Sequence, residues 1–298
     1  MQFAICEWDF GPAAETIDNW AASGVTAVEP GAVFLTKRTE VETKTAKSLC
    51  QAAGIRIYAC HAPFGGDYDL SLLDNKARSG AIEAHRQALE RAALLGAECI
   101  VVHPSGGGIS ESELPSRQAH LIASLETLIK DAERTGVRLA LENMLPNHVG
   151  CESKVIRQIV DQFDSPLLRV CLDTGHAHLN PEGLLNAFHT LRDRTITFHL
   201  QDNDGNSDRH LQPPYGTIHW PALVHEMVSA DFDFPWSIET PPWNHAGWQV
   251  MLDEMKALFT QGLLTVPLFG DTMVNVLCEQ CGRYCFGTLD DWTCACNR

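Results

Sequence analysis

Acidic and histidine residues recur at the ends of short apolar runs along this chain. RIYACHAP reaches His61, CIVVHPSG His103, LALEN Glu142, VCLDTGHAH Asp173 and His176, ITFHLQDN His199, and WSIET Glu239. An apolar run of four to six residues bounded by turn signals predicts a buried strand. An ionisable group at the end of such a strand is costly to bury unless something neutralises it, and here the placement repeats strand after strand. Carboxylate oxygens mixed with imidazole nitrogens suit a divalent ion such as zinc, manganese, iron or cobalt. Glu142 and Glu239 have no adjacent Arg or Lys to pair with, and Glu142 lies too far from the following helical stretch to cap it. Asp173 sits in LDTGHAH, where a Thr-Gly turn would swing His176 back toward the same pocket. His199, between Phe198 and Leu200, could be a satisfied core histidine, but its strand-end position beside three carboxylates favours ligation. The expected metal ligands are Glu142, Asp173, His199 and Glu239.

These side chains need elements that bring them to one place. Strands are expected at Phe3–Trp8, Ala27–Pro30, Arg56–Ala62, Cys99–His103, Arg138–Glu142, Leu168–Asp173, Thr195–Leu200 and Trp236–Glu239. Between them lie stretches with helical spacing, such as KARSGAIEAHRQALERAALLG, several ending in glycine (Gly24, Gly54, Gly96, Gly136) as expected just past a helix C-terminus. Eight alternations of near-apolar strand and helix imply a parallel sheet, and eight close naturally into an α/β (β/α)8 barrel over residues 1–262. An open doubly wound sheet would not easily converge residues from six strands on one point. Residues 263–275 read as a linker, followed by a short cysteine-rich extension at 276–298.

Bulk properties bound the partners. The chain has 298 residues, 45% hydrophobic and 20% charged, enough to bury a large core. No stretch reaches about eighteen consecutive apolar residues, so no membrane span is expected, and the start MQFAICEWDF lacks the pattern of a secretion signal. A formal charge of −16, from 22 basic against 38 acidic residues, counts against binding a phosphate backbone. An odd total of eleven cysteines points to a reducing, cytoplasmic setting.

The motifs LEN at 141–143, LDTGHAH at 172–178, HLQDNDGNSDRHLQPPYGTIHW at 199–220 and IET at 238–240 resemble the xylose isomerase-like TIM-barrel superfamily. That group holds sugar and sugar-phosphate isomerases and epimerases, and the endonuclease IV-type apurinic-site nucleases. The resemblance covers about residues 3–262. It implies that Glu142, Asp173, His199 and Glu239 hold a divalent metal (zinc, manganese, cobalt or iron). It also implies that the two glutamates serve as acid and base on opposite faces of a carbohydrate substrate. Such chemistry suits a metal-stabilised enediolate, with removal of a proton on one face and return on the other. His176 is then expected to contact a substrate hydroxyl, with His61, His103, Trp8 and Arg209 as further substrate contacts and Glu29 facing the same mouth. The nuclease branch uses three zinc ions, and His61, His103, His176, Asp208 and His210 are candidates to complete that set with the four ligands above. The acidic balance and the lack of a basic stretch near the strand ends favour sugar chemistry over DNA. A dehydratase on the same scaffold shares the enolate step. Pro213, Pro214 and Gly216 shape the loop carrying Asp208–His210, and the glycine run 106–108 lacks the Lys-Ser/Thr of a phosphate loop and reads as flexible. Homo-oligomerisation is left open.

Cys278-x2-Cys281 and Cys294-x-Cys296 form two short chelating clips twelve residues apart, suited to a tetrahedral structural zinc, with Cys285 as a spare. The residues between the clips read as a hairpin turning near Gly287.

Overall fold

The computed structural model describes residues 1–242 and 247–261, together with backbone strands at 266–268, 271–277 and 284–288. Nine parallel strands form the main sheet: β1 (Phe3–Glu7), β2 (Ala27–Pro30), β3 (Arg56–Ile57), β4 (Ala59–His61), β5 (Cys99–Val102), β6 (Arg138–Glu142), β7 (Leu168–Asp173), β8 (Thr195–Leu200) and β9 (Trp236–Ile238). Their order is β3-β2-β1-β9-β8-β7-β6-β5-β4. The strands at the two ends of that order, β3 and β4, are consecutive in the chain. The sheet therefore closes on itself, and the architecture is a TIM barrel.

The expected third strand, Arg56–Ala62, is broken at Tyr58. Before the break it pairs with β2, after it with β5. Tyr58 lies at the closure: its carbonyl accepts the backbone N–H groups of Glu98 and Cys99, and its hydroxyl donates to the Ile196 carbonyl at 2.8 Å. One residue thus hands the strand from one neighbour to the other.

Helices wrap the outside: α1 (Ala14–Ala22), α2 (Ala32–Lys37), α3 (Glu40–Ala52), α4 (Asn75–Leu95), α5 (Leu114–Thr135), α6 (Ser153–Phe163), α7 (Thr174–Leu179), α8 (Leu184–Leu191), α9 (Trp220–Ser229) and α10 (Trp248–Gln261). Local chemistry sets their limits. The Asp74 carboxylate accepts the Ala77 N–H to start α4, and Gly96 and Gly136 end α4 and α5 at φ 81° and 74°, where a Cβ would be strained.

Strand periodicity explains how a site forms at one end of this barrel. Side chains two residues apart share a face of a strand. Below Glu29, His61, Glu142, Asp173, His199 and Glu239 stand Ala27, Ala59, Ala140, Cys171, Thr197 and Ser237, all small and all buried. The intervening Val28, Cys60, Leu141, Leu172, Phe198 and Ile238 are fully buried on the other face. Small side chains beneath the polar layer leave it room to converge on the barrel axis. The polar layer lies at the C-terminal ends of the strands, where this fold builds its sites.

Beyond the barrel, β10 (Val266–Leu268), β11 (Asp271–Leu277) and β12 (Tyr284–Thr288) form an antiparallel sheet. The stretch 263–275 read as a linker therefore carries one strand and most of a second, as the alternating TMVNVL run allows. Gly287 does not mark a turn: it sits inside β12, opposite Val274. Cys278, Cys281, Cys294 and Cys296 lie outside the described residues.

Candidate functional site

Every expected ligand arrives at one mouth. The Glu142 carboxylate is the hub: its Oε2 lies 3.1 Å from His103 Nε2 and 3.8 Å from His61 Nε2, and its Oε1 lies 3.2 Å from His176 Nδ1 and 3.3 Å from His199 Nδ1. His199 Nδ1 is also 3.2 Å from Glu239 Oε2. A separate group joins His176 Nε2, Asp208 and His210, with Asp208 Oδ2 at 3.5 Å and 3.1 Å from the two imidazoles. Among the described residues, His61–His103–Glu142, His61–His199–Glu239 and His176–Asp208–His210 each place three ligand atoms within 4.8 Å of one another.

The orientation of the imidazoles is fixed before any ion arrives. His61 Nδ1–H donates to the Ala62 carbonyl at 2.7 Å, His176 Nδ1–H to the Asn143 carbonyl at 3.0 Å, and His210 Nδ1–H to the Glu239 carbonyl at 2.9 Å. A carbonyl only accepts, so in each ring Nδ1 carries a proton; His61, kept neutral by burial, offers its Nε2 lone pair, while Nε2 of His176 and of His210 faces the Asp208 carboxylate. His199 is the reverse case: Nε2–H donates to Glu29 Oε1 at 2.9 Å, which leaves Nδ1 facing Glu142 and Glu239. Second partners of this kind are how proteins orient metal-binding histidines. The fit to a cation is direct: His61 Nε2, Glu142 Oε2 and Glu239 Oε2 are buried and make no hydrogen bond. Three orphaned acceptor atoms of this kind are costly unless a cation binds between them.

The supporting shell holds the carboxylates still. Asn143 clamps Asp173 through two backbone bonds, its amide donating to the Asp173 carbonyl at 3.0 Å and its oxygen accepting the Asp173 N–H at 2.8 Å. Gln201 Nε2–H donates to Asp208 Oδ1 at 2.8 Å and reaches Asp173 Oδ1 at 3.3 Å. Gly175 must be glycine here, because a Cβ would fall 2.2 Å from Gln201 Oε1.

Charges follow from this crowding. Burial by itself would raise the Glu142 carboxyl, yet the surrounding His199, His103 and His176 hold it well below the ordinary range. Burial is likewise outweighed at Glu239, where His199 keeps the carboxyl at about 2. At Asp173 burial wins and, helped by Glu142, Glu239 and Asp208 against His176, raises it to about 7. Burial and the neighbouring His103 and His199 lower His61 to about 4, so it stays neutral, as a ligand must.

Several expectations are corrected. His176 reaches the site from a helix, not from a Thr-Gly turn: Asp173 caps α7 by accepting the His176 N–H at 2.6 Å, which fixes the spacing of the two side chains. Glu29 does not face the mouth as a substrate contact. It is 1% exposed behind His199 and also accepts the Ser237 hydroxyl. Arg209 does not line the cavity: it is 55% exposed and pairs with Asp204 at 3.4 Å. In the glycine run 106–108, Gly107 stands against the His148 ring and Gly106 near Asp69, while Gly108 has open space around it. Trp8 does line the mouth, held against Gly31, where a Cβ would meet Trp8 Cα at 2.7 Å. Gly216 is likewise required, since a Cβ there would meet Asp202 Oδ1 at 2.2 Å. Sequence reasoning missed Asn143, Gln201 and His148; the first stands inside the LEN motif and was in plain view.

A closed parallel barrel with clustered carboxylates and imidazoles at its C-terminal rim defines a TIM barrel with candidate metal-binding groups at its mouth. The sequence model of the xylose isomerase-like TIM barrel family matches residues 17–258, and the chain belongs to that family. An uncharacterized protein of Methanocaldococcus jannaschii is 30% identical over 190 residues, covering 60% of this chain and 62% of that protein. A probable endonuclease 4 of Bacillus subtilis is 26% identical over 273 residues, covering 84% of this chain and 88% of its own. Among solved structures, a D-tagatose 3-epimerase-like protein superposes with a TM-score of 0.74 at 23% identity, covering 89% of this chain and 100% of its own. An L-ribulose 3-epimerase gives 0.73 at 15% identity, covering 88% and 95%.

Proposed function

We propose that this protein is a metal-dependent isomerase or epimerase of a keto-sugar, sugar acid or sugar phosphate. The observation that carries the reading is the pair Glu142 and Glu239. They reach the same His199 nitrogen from β6 and from the end of β9, two strands lying between, and each keeps one buried oxygen without a hydrogen-bond partner. A divalent ion held by Glu142, Asp173, His199 and Glu239 would supply stabilisation of enediolate charge. The two carboxylates approach from different sides, so one can take the proton from a carbon and the other can return it to the opposite face. His176 and His210, near the rim, are placed to meet substrate oxygens when no second ion occupies their group. The epimerase likeness of the solved neighbours is consistent with this reading.

The test is proton exchange. Glu142→Gln and Glu239→Gln should each abolish exchange of substrate hydrogen with heavy water while near-native circular dichroism is kept. Exchange retained in both variants would remove the acid/base assignment.

One observation favours a second reading, a three-metal phosphodiester hydrolase: the separate His61–His103–Glu142 and His176–Asp208–His210 groups. It predicts three ions per barrel and incision of an abasic-site duplex, lost in His61→Ala or His103→Ala. The net charge of −16 works against a polyanionic substrate and ranks this reading second.

A further inference from the structure

A cavity of about 230 Å³ opens onto His103, His176 and Glu239 and runs outward between Trp8 and Phe64 on one side and Met144, Leu145 and His148 on the other. It is smaller than the pockets that take drug-sized ligands. Its outer wall is apolar and aromatic: the Phe64 ring lies 4.7 Å from His103, and Trp8 lies 5.6 Å from Phe64. Among the described residues no lysine or arginine lines it. Outside its lining, Arg209 pairs with Asp204, and Arg117 of α5 pairs with buried Asp69 at 3.3 Å.

Ser105, whose Oγ accepts the Val149 N–H, and His148 are polar side chains of that outer wall away from the candidate metal-binding clusters. The His148 Nδ1–H donates to the Pro146 carbonyl at 3.1 Å, which leaves Nε2 as the acceptor of the neutral ring. Burial lowers the affinity of the ring for a proton, which keeps it neutral. The ring is also held in place. A Cβ on Gly107 would fall 2.8 Å from Cε1 and 2.9 Å from Nε2, and the two loops are tied by Ile109 N–H to the Asn147 carbonyl at 3.1 Å and Val149 N–H to Ser105 Oγ at 2.9 Å. A fixed, neutral acceptor in an apolar wall matches a hydroxyl donor. It repels the acceptor oxygens of a phosphate, whose charge no lysine or arginine among the described lining residues would compensate.

We propose that His148 is a specificity-determining residue whose Nε2 accepts a hydroxyl from the substrate arm remote from the metal-binding clusters, and that the substrate is a neutral, unphosphorylated ketose. This rests on the sugar isomerase or epimerase reading and narrows its substrate class. Calorimetric titration of the metal-loaded full chain with D-fructose and with D-fructose 6-phosphate tests it. D-fructose binds, and the phosphate ester binds roughly tenfold more weakly or worse. His148→Ala weakens D-fructose binding about fivefold to tenfold, the range of one lost hydrogen bond. Gly107→Ala, which pushes the ring aside, does the same should His148→Ala fold poorly. His148→Gln keeps an acceptor and restores most of the affinity, and metal content stays constant across all three variants. Equal or tighter binding of the phosphate ester, wild-type affinity in His148→Ala, or binding of neither sugar overturns the proposal. Heavy-water exchange separates the two levels. Binding in the expected pattern without exchange would sink the epimerase reading alone, whereas exchange confined to the phosphate ester would sink this proposal alone.

Discussion

At the scale of single residues, the site is built from imidazoles whose free nitrogen is decided by what holds the other one. Three are set by backbone carbonyls, which mutation cannot easily remove. His199 is set by a side chain, Glu29, and is therefore the vulnerable one. Losing such a partner typically costs about 10- to 100-fold in metal affinity. Glu29→Ala should weaken metal binding by about that factor, measured by competition with a chromophoric chelator, while leaving the fold in place. Undiminished affinity would mean that neighbouring carboxylates orient His199 unaided. The sequence made Glu29 visible as one more acid at a strand end, but not its role. A strand-end position says which way a side chain points and nothing about whether a neighbour stands in front of it. His148 was illegible for the same kind of reason: it follows LPN in a connecting loop, and only the fold brings Gly107 against it.

At the scale of elements, the periodic segments were legible and the closures were not. Ala27–Pro30, Arg138–Glu142, Leu168–Asp173 and Thr195–Leu200 run as expected, because near-apolar runs ending in an acid or a turn leave few alternatives. The short helix after Asp173 starts on a local cap, whereas the break at Tyr58 depends on contacts with distant strands, which no local pattern encodes. The loop between β8 and α9 shows what such contacts are worth. Asp202 Oδ1 accepts the N–H groups of Asn203 and Ile218 at 2.8 Å and 3.1 Å, and Oδ2 accepts the Trp220 indole N–H at 2.7 Å, all buried. Asp202→Ala strands three buried donors and should cost about 3 kcal/mol, read as a lower urea midpoint at unchanged slope. Burial raises the Asp202 carboxyl from 3.8 to about 7 against the donors that lower it. The folded state thus holds a proton that the unfolded chain gives up earlier. This group's contribution to stability is complete below about pH 4 and is lost as pH rises through about 7. Asp202→Asn should flatten the stability profile across that window, and an unchanged profile would assign the slope to other groups.

At the scale of the whole molecule, the barrel and the extension solve the same problem by different means. The barrel buries a large apolar core and gathers buried carboxylates and imidazoles at one rim. The extension, about twenty residues with little apolar content, needs a cross-link to keep a fold. Its backbone supplies a setting for one: β11 and β12 pair antiparallel from Leu277 opposite Tyr284, so Cys278 and Cys281 fall in the chain segment joining two paired strands. Cys294 and Cys296 follow the end of β12 by six and eight residues in the sequence. Among the described cysteines, Cys50, Cys60, Cys99 and Cys171 are buried free thiols in the barrel, where burial raises them and leaves them poor ligands. The extension is where the sequence leads us to expect a thiolate-bound zinc. Elemental analysis of protein purified without chelator should find one zinc fewer per chain in Cys281→Ser than in wild type, with the barrel's metals retained. Equal zinc in the two proteins would leave the clips without a metal, and the hairpin would then have to be held by packing that its composition does not supply.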